Sequence, residues 1–530
     1  MTGQRTDHDT SAVIFTACRA LLSDADWQGL LVTVGEDPTA ERLVEALQKP
    51  AEEGNQPPFL GDLARLEFAA ARARGTDIPL STEQLCLNPS AHLLDLSWSG
   101  LTPFLFQAPC ADSPEPHREL VVVWKDPVSH AVKAETASPD VLLALKLLAE
   151  GIDPVQAAAE AHVPVRAVDS AIERAASRGI VLAPASRIRR DPAAYRAGAE
   201  VPEDILSSPT FTLQWHITQA CDLHCKHCYD RSERSGLPFD KARRVLDDLY
   251  DFCRNKHVRG QVSFSGGNPF LYPRFTDLYR EAWDRGFMIA ILGNPTSRER
   301  IEELLAIGKP VYVQVSLEGM EEHNDAIRGP GHFRKTLDFL ALLRELGVYS
   351  MVMLTLTAEN VQQVVPLAEL LRDKTDLFTF NRLAMVGEGE KLRLPPPGEY
   401  AAFLERYIEA CAGNPALGLK DNLLNIVYQQ RGDDLFSGCT GHGCGAAFNF
   451  LTLLSDGEVH ACRKFPSPVG NIFDESLSDI YDSGRAERYR RGCNACTECE
   501  LRHVCGGCLA VTYGHGLDPL TQRDPYCFKG

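Results

Sequence analysis

"FTLQWHITQACDLHCKHCYD" (residues 211–230) joins an alternating apolar stretch to a loop bearing three cysteines. The alternation in "FTLQWHITQ" has the period of a strand with one buried face. The loop half sets Cys221, Cys225 and Cys228 apart by three and then two residues. Three thiolates are one short of a closed structural zinc site, which takes four protein ligands. They can hold three irons of a [4Fe–4S] cube and leave the fourth iron open to a small ligand. The loop therefore reads as an open, reactive cluster site. A zinc knuckle completed from elsewhere in the chain is the alternative.

At 530 residues the chain has room for roughly three or four domains. Its 44% hydrophobic and 24% charged content is that of an ordinary soluble protein. A formal net charge of -18 argues against broad nucleic-acid binding. The opening "MTGQRTDHDT" lacks the apolar core of a signal peptide, and no apolar run is long enough to cross a bilayer. The expectation is a cytoplasmic protein, where thiols stay reduced. In that setting 17 cysteines read as metal ligands or redox groups. Besides the opening three, nine follow residue 438 and five are scattered: Cys18, Cys86, Cys110, Cys253 and Cys411. Cys253 shares a helical face with Phe239, Ala242, Val245, Leu246, Leu249 and Phe252, so it reads as a small core residue.

Residues 1–115 show helical patterns, clearest in "DLARLEFAAARARG" (62–75), and no chemical motif. Residues 116–185 hold two strands, "ELVVVWKD" and "AVKAET", then three short helices, two of them with Ser138 and Asp153 as N-caps before proline. That is the outline of a winged helix. Residues 119–184 carry six Lys or Arg against nine Asp or Glu, a poor balance for reading DNA. The same outline can bind a peptide by adding a strand to a free sheet edge. A linker (186–210) follows, its start lying in the basic stretch "APASRIRRDPAAYRAG" (183–198). From 211 to 425 six strand-like runs, 211–218, 261–266, 287–293, 310–319, 349–357 and 377–385, alternate with amphipathic helices. This predicts a parallel sheet with right-handed crossovers, too few for an eight-fold barrel, hence a curved, partly open α/β barrel of six units. Residues 426–530 are rich in Cys and Gly, a segment expected to rely on metal as well as apolar burial.

The three-cysteine loop after the first barrel strand resembles the radical S-adenosylmethionine (SAM) enzymes. The resemblance implies that Cys221, Cys225 and Cys228 bind a [4Fe–4S] cluster whose fourth iron chelates SAM. It places His227 near the adenine. "SFSGGNP" (263–269) ends the second strand like the family's glycine-pair turn, assigning Gly266, Gly267, Asn268 and Pro269 to cofactor binding. The family's usual residue after the pair is Glu, where this chain has Asn268. Ser316 and Glu318, at the end of the fourth strand, are implied near the SAM ribose or the substrate. "HNDAIRGPGHF" (323–333) resembles a stretch of peptide-modifying members, with Asp325 and Arg328 matching. "ILGNPT" (291–296) stands where the family has an Asn-Gly turn, in the order Gly293-Asn294.

The tail resembles the SPASM extension, which holds two auxiliary [4Fe–4S] clusters. Carried over by position, Cys439, Cys444, Cys462 and Cys508 ligate the first, and Cys496, Cys499, Cys505 and Cys527 the second. Cys493 is left over. A two-residue gap separates Cys505 from Cys508 where three is frequent. Zinc in these thiolate sets is the alternative.

The resemblance implies reductive cleavage of SAM to a 5′-deoxyadenosyl radical, with a flavodoxin or ferredoxin as electron donor. The acidic winged-helix segment is similar to the peptide-recognition element of maturases of ribosomally made peptides. The expected partner is a precursor peptide, its leader paired with the wing strand, with neither nucleic acid nor membrane involved. The expected product is a thioether, another cross-link or a cysteine-derived ring. The subgroup that matures selenobiotic or thio(seleno)oxazole peptides is also similar. The alternatives are a sulfatase-maturing type of enzyme that oxidises Cys or Ser in a protein, and a zinc-binding winged-helix regulator.

Overall fold

The computed structural model describes residues 14–34, 39–49, 56–106 and 113–529. Cys110 and the first ten residues lie outside them. The chain forms two compact units, 1–185 and 186–530.

In the first unit, β1 (Cys86–Leu87), β2 (His92–Leu96), β3 (Glu119–Lys125), β4 (Val132–Thr136) and β5 (Val181–Leu182) make two sheets. β2, β3 and β4 form one antiparallel sheet with β3 in the middle, and β1 pairs with β5. The run "VVVW" in β3 is apolar on both faces because both are covered. Val122 and Trp124 pack on the helices Pro139–Glu150 and Val165–Ser177. Val121 and Val123 pack on Leu66, Ala69, Ala70 and Ala73 of the helix Leu60–Gly75. Ser138 and Asp153 cap their helices, accepting from Val141 N and from Val155 N and Gln156 N. The expectation that 1–115 is helical needs correction here. That stretch supplies β1 and β2, and β2 is paired along its length with β3. The alternation in "HLLDL" was masked by its brevity. The edges of the sheet are β2 and β4.

In the second unit, β6 (Thr210–Thr218), β7 (Arg259–Gly266), β8 (Met288–Leu292), β9 (Tyr312–Ser316), β10 (Ser350–Leu356) and β11 (Leu377–Arg382) lie side by side in sequence order, all parallel. These are the six strands the sequence pattern predicts. Their side chains alternate with period two. Phe211, Leu213, Trp215, Ile217, Val262, Phe264, Ile289, Ile291, Val313, Val315, Val352, Leu354, Phe378 and Phe380 are buried in one apolar core. The helix Phe239–Lys256 buries Ala242, Val245, Leu246, Leu249, Phe252 and Cys253 in that core, and burial pushes the Cys253 thiol up. The intervening residues His216, Ser265, Leu292, Gln314, Ser316, Met353, Thr355 and Asn381 line the concave side.

The cysteine-rich segment extends the same sheet. β12 (Phe450–Leu453) pairs parallel with β6, and β13 (Glu458–His460) and β14 (Pro468–Asn471) continue it antiparallel. The sequence boundary at 425 therefore crosses a continuous sheet and core, since Phe450, Leu451, Val459, Val469 and Ile480 join the barrel's apolar cluster. The linker is a packed strap. Ile188 and Ile205 enter the core. Arg190 donates to the carbonyls of His442 and Cys444 at 2.5 Å each and stacks 4.2 Å from the Phe448 ring.

One buried ion cluster ties barrel to tail. Arg382, at the end of β11, donates to Asp524 through Nη1 and Nη2 (2.9 and 2.7 Å) and to Asp421 through Nε (2.7 Å). Its side chain is 1% exposed. Removing one partner leaves a buried charge short of compensation. Asp524→Ala is expected to lower unfolding stability by about 3–5 kcal/mol, read as a lower guanidinium midpoint. A loss under about 1 kcal/mol would show that the cluster does not hold the tail.

Candidate active site

Chemistry in parallel α/β sheets collects at the carboxyl ends of the strands. The loop after β6 lies there, and Cys221, Cys225 and Cys228 line a cavity of about 500 Å³. No fourth cysteine is among its lining residues.

The loop is fixed by the turn after β7. Gly267 N donates to Thr218 O and Asn268 N to Ala220 O, both at 2.8 Å. A Cβ at Gly266 would stand 2.2 Å from Thr218 O, and one at Gly267 would stand 2.3 Å from Ala220 O. Gly266 has φ +127, a conformation L residues rarely adopt. The glycine pair thus lets two backbones touch, and both glycines also line the cavity. Asn268 does not line it. It is 3% exposed; its Oδ1 accepts from Phe270 N and its Nδ2 donates to Asp222 Oδ1 at 2.9 Å. Asn294 Nδ2 donates to the same oxygen at 2.6 Å and lies 3.7 Å from Cys221 Sγ. Pro269 opens the short 3₁₀ turn behind.

On the other side, Arg328 Nη1 reaches Cys225 Sγ at 3.6 Å. Its guanidinium donates to Glu318 Oε1 through Nη2 (2.6 Å) and Nε (2.9 Å). Thr355 N donates to Glu318 Oε2 at 2.8 Å. Burial works to raise the Glu318 pKa, but His227, Arg328 and the Thr355 N–H outweigh it and hold the carboxyl below its usual range. Burial lowers the His227 pKa against the pull of Glu318, and its Nε2 lies 3.5 Å from both Arg328 Nη2 and Glu318 Oε1. Ser316 and His227 line the cavity; Glu318 lies behind its wall, orienting Arg328. Asp325 accepts from Gly331 N and Phe333 N, shaping the turn that presents Arg328. At the cavity floor Tyr229 OH meets His216 Nε2 at 3.1 Å, and burial pushes the His216 pKa down to about 3.

The eight tail thiols fall into two sets. Cys439, Cys444, Cys462 and Cys508 line a cavity of about 110 Å³, and Cys496, Cys499, Cys505 and Cys527 line one of about 20 Å³. Burial pushes the Cys444 and Cys505 thiols up to about 12. Buried thiols of this kind give up their protons to a metal. Among the described residues no three His, Cys, Asp or Glu close in on a single-ion site. Four thiols in each lining are the donor set that a [4Fe–4S] cluster takes, and the Asp421 and Asp524 carboxylates beside them are engaged by Arg382. Cys493 lines neither cavity; its Sγ contacts Gln522 O at 3.1 Å. The first auxiliary cavity shares Asn381, Arg382, Arg463 and Lys464 with the barrel cavity. Asp222, Arg463 and Lys464 escaped sequence reading, and Asn294 was singled out only as part of a turn. The signal for Arg463 and Lys464 was their place directly after Cys462.

An open six-stranded α/β barrel with three thiols at its mouth and, in a fused tail, eight of nine thiols grouped around two cavities has the make-up of an iron–sulfur protein. Residues 215–371 match the radical SAM superfamily, and residues 444–508 match the SPASM iron–sulfur cluster-binding domain. The Fe-coproporphyrin III synthase of Methanosarcina barkeri is 30% identical over 351 residues, covering 59% of this chain and 86% of that protein. The antilisterial bacteriocin subtilosin biosynthesis protein AlbA of Bacillus subtilis is 25% identical over 314 residues, 56% of this chain and 66% of its own length. Streptococcus suis SuiB bound to precursor peptide SuiA shares the fold, with TM-score 0.52 and 18% identity over 77% of this chain and 96% of that one. The chain belongs to the radical SAM superfamily. It is an enzyme whose cofactors are SAM and multiple [4Fe–4S] clusters.

Gly267→Ala is expected to push the thiol loop off the turn. Iron per chain should fall and the SAM-dependent change in the reduced-cluster EPR signal should vanish. Gly398→Ala, with nothing within 4 Å of its Cβ, should change neither. Full iron and an intact SAM response in Gly267→Ala would refute the close-approach role.

Proposed function

We propose that this protein is a peptide maturase: it modifies a ribosomally made precursor peptide by radical chemistry. The observation that carries the chemistry is the three-thiol loop opening on the barrel cavity with no fourth thiol in its wall. When bound, SAM and a reduced [4Fe–4S] cluster supply a 5′-deoxyadenosyl radical able to take a hydrogen atom from an unactivated carbon. Cys221, Cys225 and Cys228 would hold that cluster. Gly266 and Gly267 keep the backbone at the cavity wall free of side chains, and His227 and Ser316 face the same space. Glu318 acts through Arg328, which it orients toward Cys225. Asn268 and Pro269 shape the turn from behind. Cys439, Cys444, Cys462 and Cys508, and separately Cys496, Cys499, Cys505 and Cys527, would hold two auxiliary clusters. The lining shared between the barrel cavity and the first tail cavity puts a substrate in the barrel close to that auxiliary set.

The peptide reading is supported by the bacteriocin-biosynthesis relative and by the winged-helix sheet, whose edge strands β2 and β4 each have one side unpaired among the described residues. We place the leader along such an edge, where main-chain hydrogen bonds give affinity. The domain plan is a leader-binding region whose sheet joins β2 to β3 and β4, followed by the strap at 186–210 and a barrel whose sheet and core continue into the cluster-bearing tail. Reduction would come from a flavodoxin or ferredoxin in the cytoplasm. Among the described residues no helix is long and apolar enough to cross a membrane. A second reading, a porphyrin substrate, is favoured by the 30% identity to the Fe-coproporphyrin III synthase.

Under anaerobic conditions with dithionite, the reconstituted enzyme is expected to form 5′-deoxyadenosine from SAM, and Cys221→Ala to form none. With its precursor peptide, mass spectrometry should show loss of two hydrogens for a cross-link. A chain reduced to 186–530 should still cleave SAM but leave the peptide unmodified. An unchanged peptide mass with the full chain, while SAM is cleaved, would overturn the peptide reading.

A further inference from the structure

We propose that Arg463 and Lys464 form a carboxylate-binding subsite in the barrel cavity, which seats an anionic group of the substrate. The inference rests on the reading of this cavity as the site where substrate is modified.

The two residues follow Cys462 directly and line both the barrel cavity and the neighbouring cavity of its thiol set. Both are partly buried. Among the described residues neither side chain has a carboxylate or hydrogen-bond partner, and both act electrostatically on the Cys462 thiol. Two of the other cations of the wall have carboxylate partners, and the third, exposed Arg231, has its donors satisfied by neutral acceptors. Arg328 is held by Glu318, Arg382 by Asp421 and Asp524, and Arg231 meets His224 Nδ1 and Cys225 O. The one carboxylate among the lining residues is Asp230. It is occupied by Gln219 Nε2 at 3.1 Å and Ser232 Oγ at 2.5 Å, with Arg234 Nε at 3.7 Å. Arg463 and Lys464 are therefore partly buried cations of the wall with no carboxylate beside them, in a chain whose net charge is -18.

Partly desolvated charges without counter-ions are unfavourable, and a carboxylate entering the cavity removes that penalty. A guanidinium accepts a carboxylate in a two-pronged, charge-assisted pair, and the ammonium beside it adds a point charge. Arg463 also acts electrostatically on His216 and Tyr229, the pair at the root of the thiol loop. A carboxylate held there would bring its neighbouring carbons toward the loop. The chemistry fits a peptide side-chain carboxylate, a peptide C-terminus or a porphyrin propionate alike. The competing role is counter-charge to the thiolates of the adjoining set.

The test uses the full-length reconstituted enzyme with SAM and equilibrium binding of matched probes. These are an N-acetylated alanine-based hexapeptide ending in carboxylate or amide, the amidated peptide bearing Glu or Gln, and coproporphyrin III or its tetramethyl ester. The charged member of at least one pair should bind about tenfold tighter, and the pair that does so identifies the source. The preference should collapse in the double variant Arg463→Gln, Lys464→Gln at unchanged iron content, and persist in Arg463→Lys. Equal binding within every pair, or a preference undiminished in the double variant, overturns the subsite. Loss of iron from the double variant overturns it too, in favour of the counter-charge role. 5′-Deoxyadenosine formation in the same wild-type preparation separates the two failures. Its absence defeats the reading of the cavity as a radical site, and its presence without any carboxylate preference defeats only the subsite.

Discussion

Two backbone hydrogen bonds, from Gly267 N to Thr218 O and from Asn268 N to Ala220 O, hold the thiol loop against the turn after β7. That contact tolerates no side chain on either glycine. It decides where three sulfurs stand relative to six strand ends, and so whether a cluster at the loop faces the cavity. The rest of the site is arranged around it. Asp222 gathers the amides of Asn268 and Asn294 on one flank, and Glu318 aims Arg328 at Cys225 on the other. Each flank is a buried polar group satisfied by its neighbours, which is what makes such a network rigid.

The barrel was legible in the sequence because one signal serves two purposes. Strand residues alternate between a core of Phe, Val, Ile and Leu and a concave wall of His, Ser, Gln, Thr and Asn. The apolar half announces the fold, and the polar half supplies the lining. The thiol loop and the two tail quartets were legible through their spacing and a family resemblance. The structure groups each quartet around its own cavity. The N-terminal strand β2 was not legible, since five residues with two exposed positions carry little period, and its partner β3 lies far away in sequence. The strap at 186–210 read as a linker because its anchors, Arg190 on two carbonyls and two isolated isoleucines, have no periodic pattern.

Glu318 shows a further limit. Its position at a strand end suggested contact with a ligand, yet its carboxylate is fully spent on Arg328 and Thr355. Strand position tells which residues reach the mouth of a barrel, not which of them turn toward the space inside. The same holds for Arg463 and Lys464, whose place on the wall of two cavities no single sequence displays. The fused sheet matters for the same reason: β12 beside β6 carries the tail's thiol set to the barrel wall.

The central claim is that three thiols leave one iron without a protein ligand, free to take SAM. Electron–nuclear double resonance on the reduced protein with SAM labelled with ¹⁵N at its amino group and ¹⁷O at its carboxylate tests it most directly. Hyperfine coupling of both labels to a cluster, lost when Cys221, Cys225 and Cys228 are replaced by alanine, is the predicted result. A reduced cluster at those cysteines with no coupling to either label would contradict it.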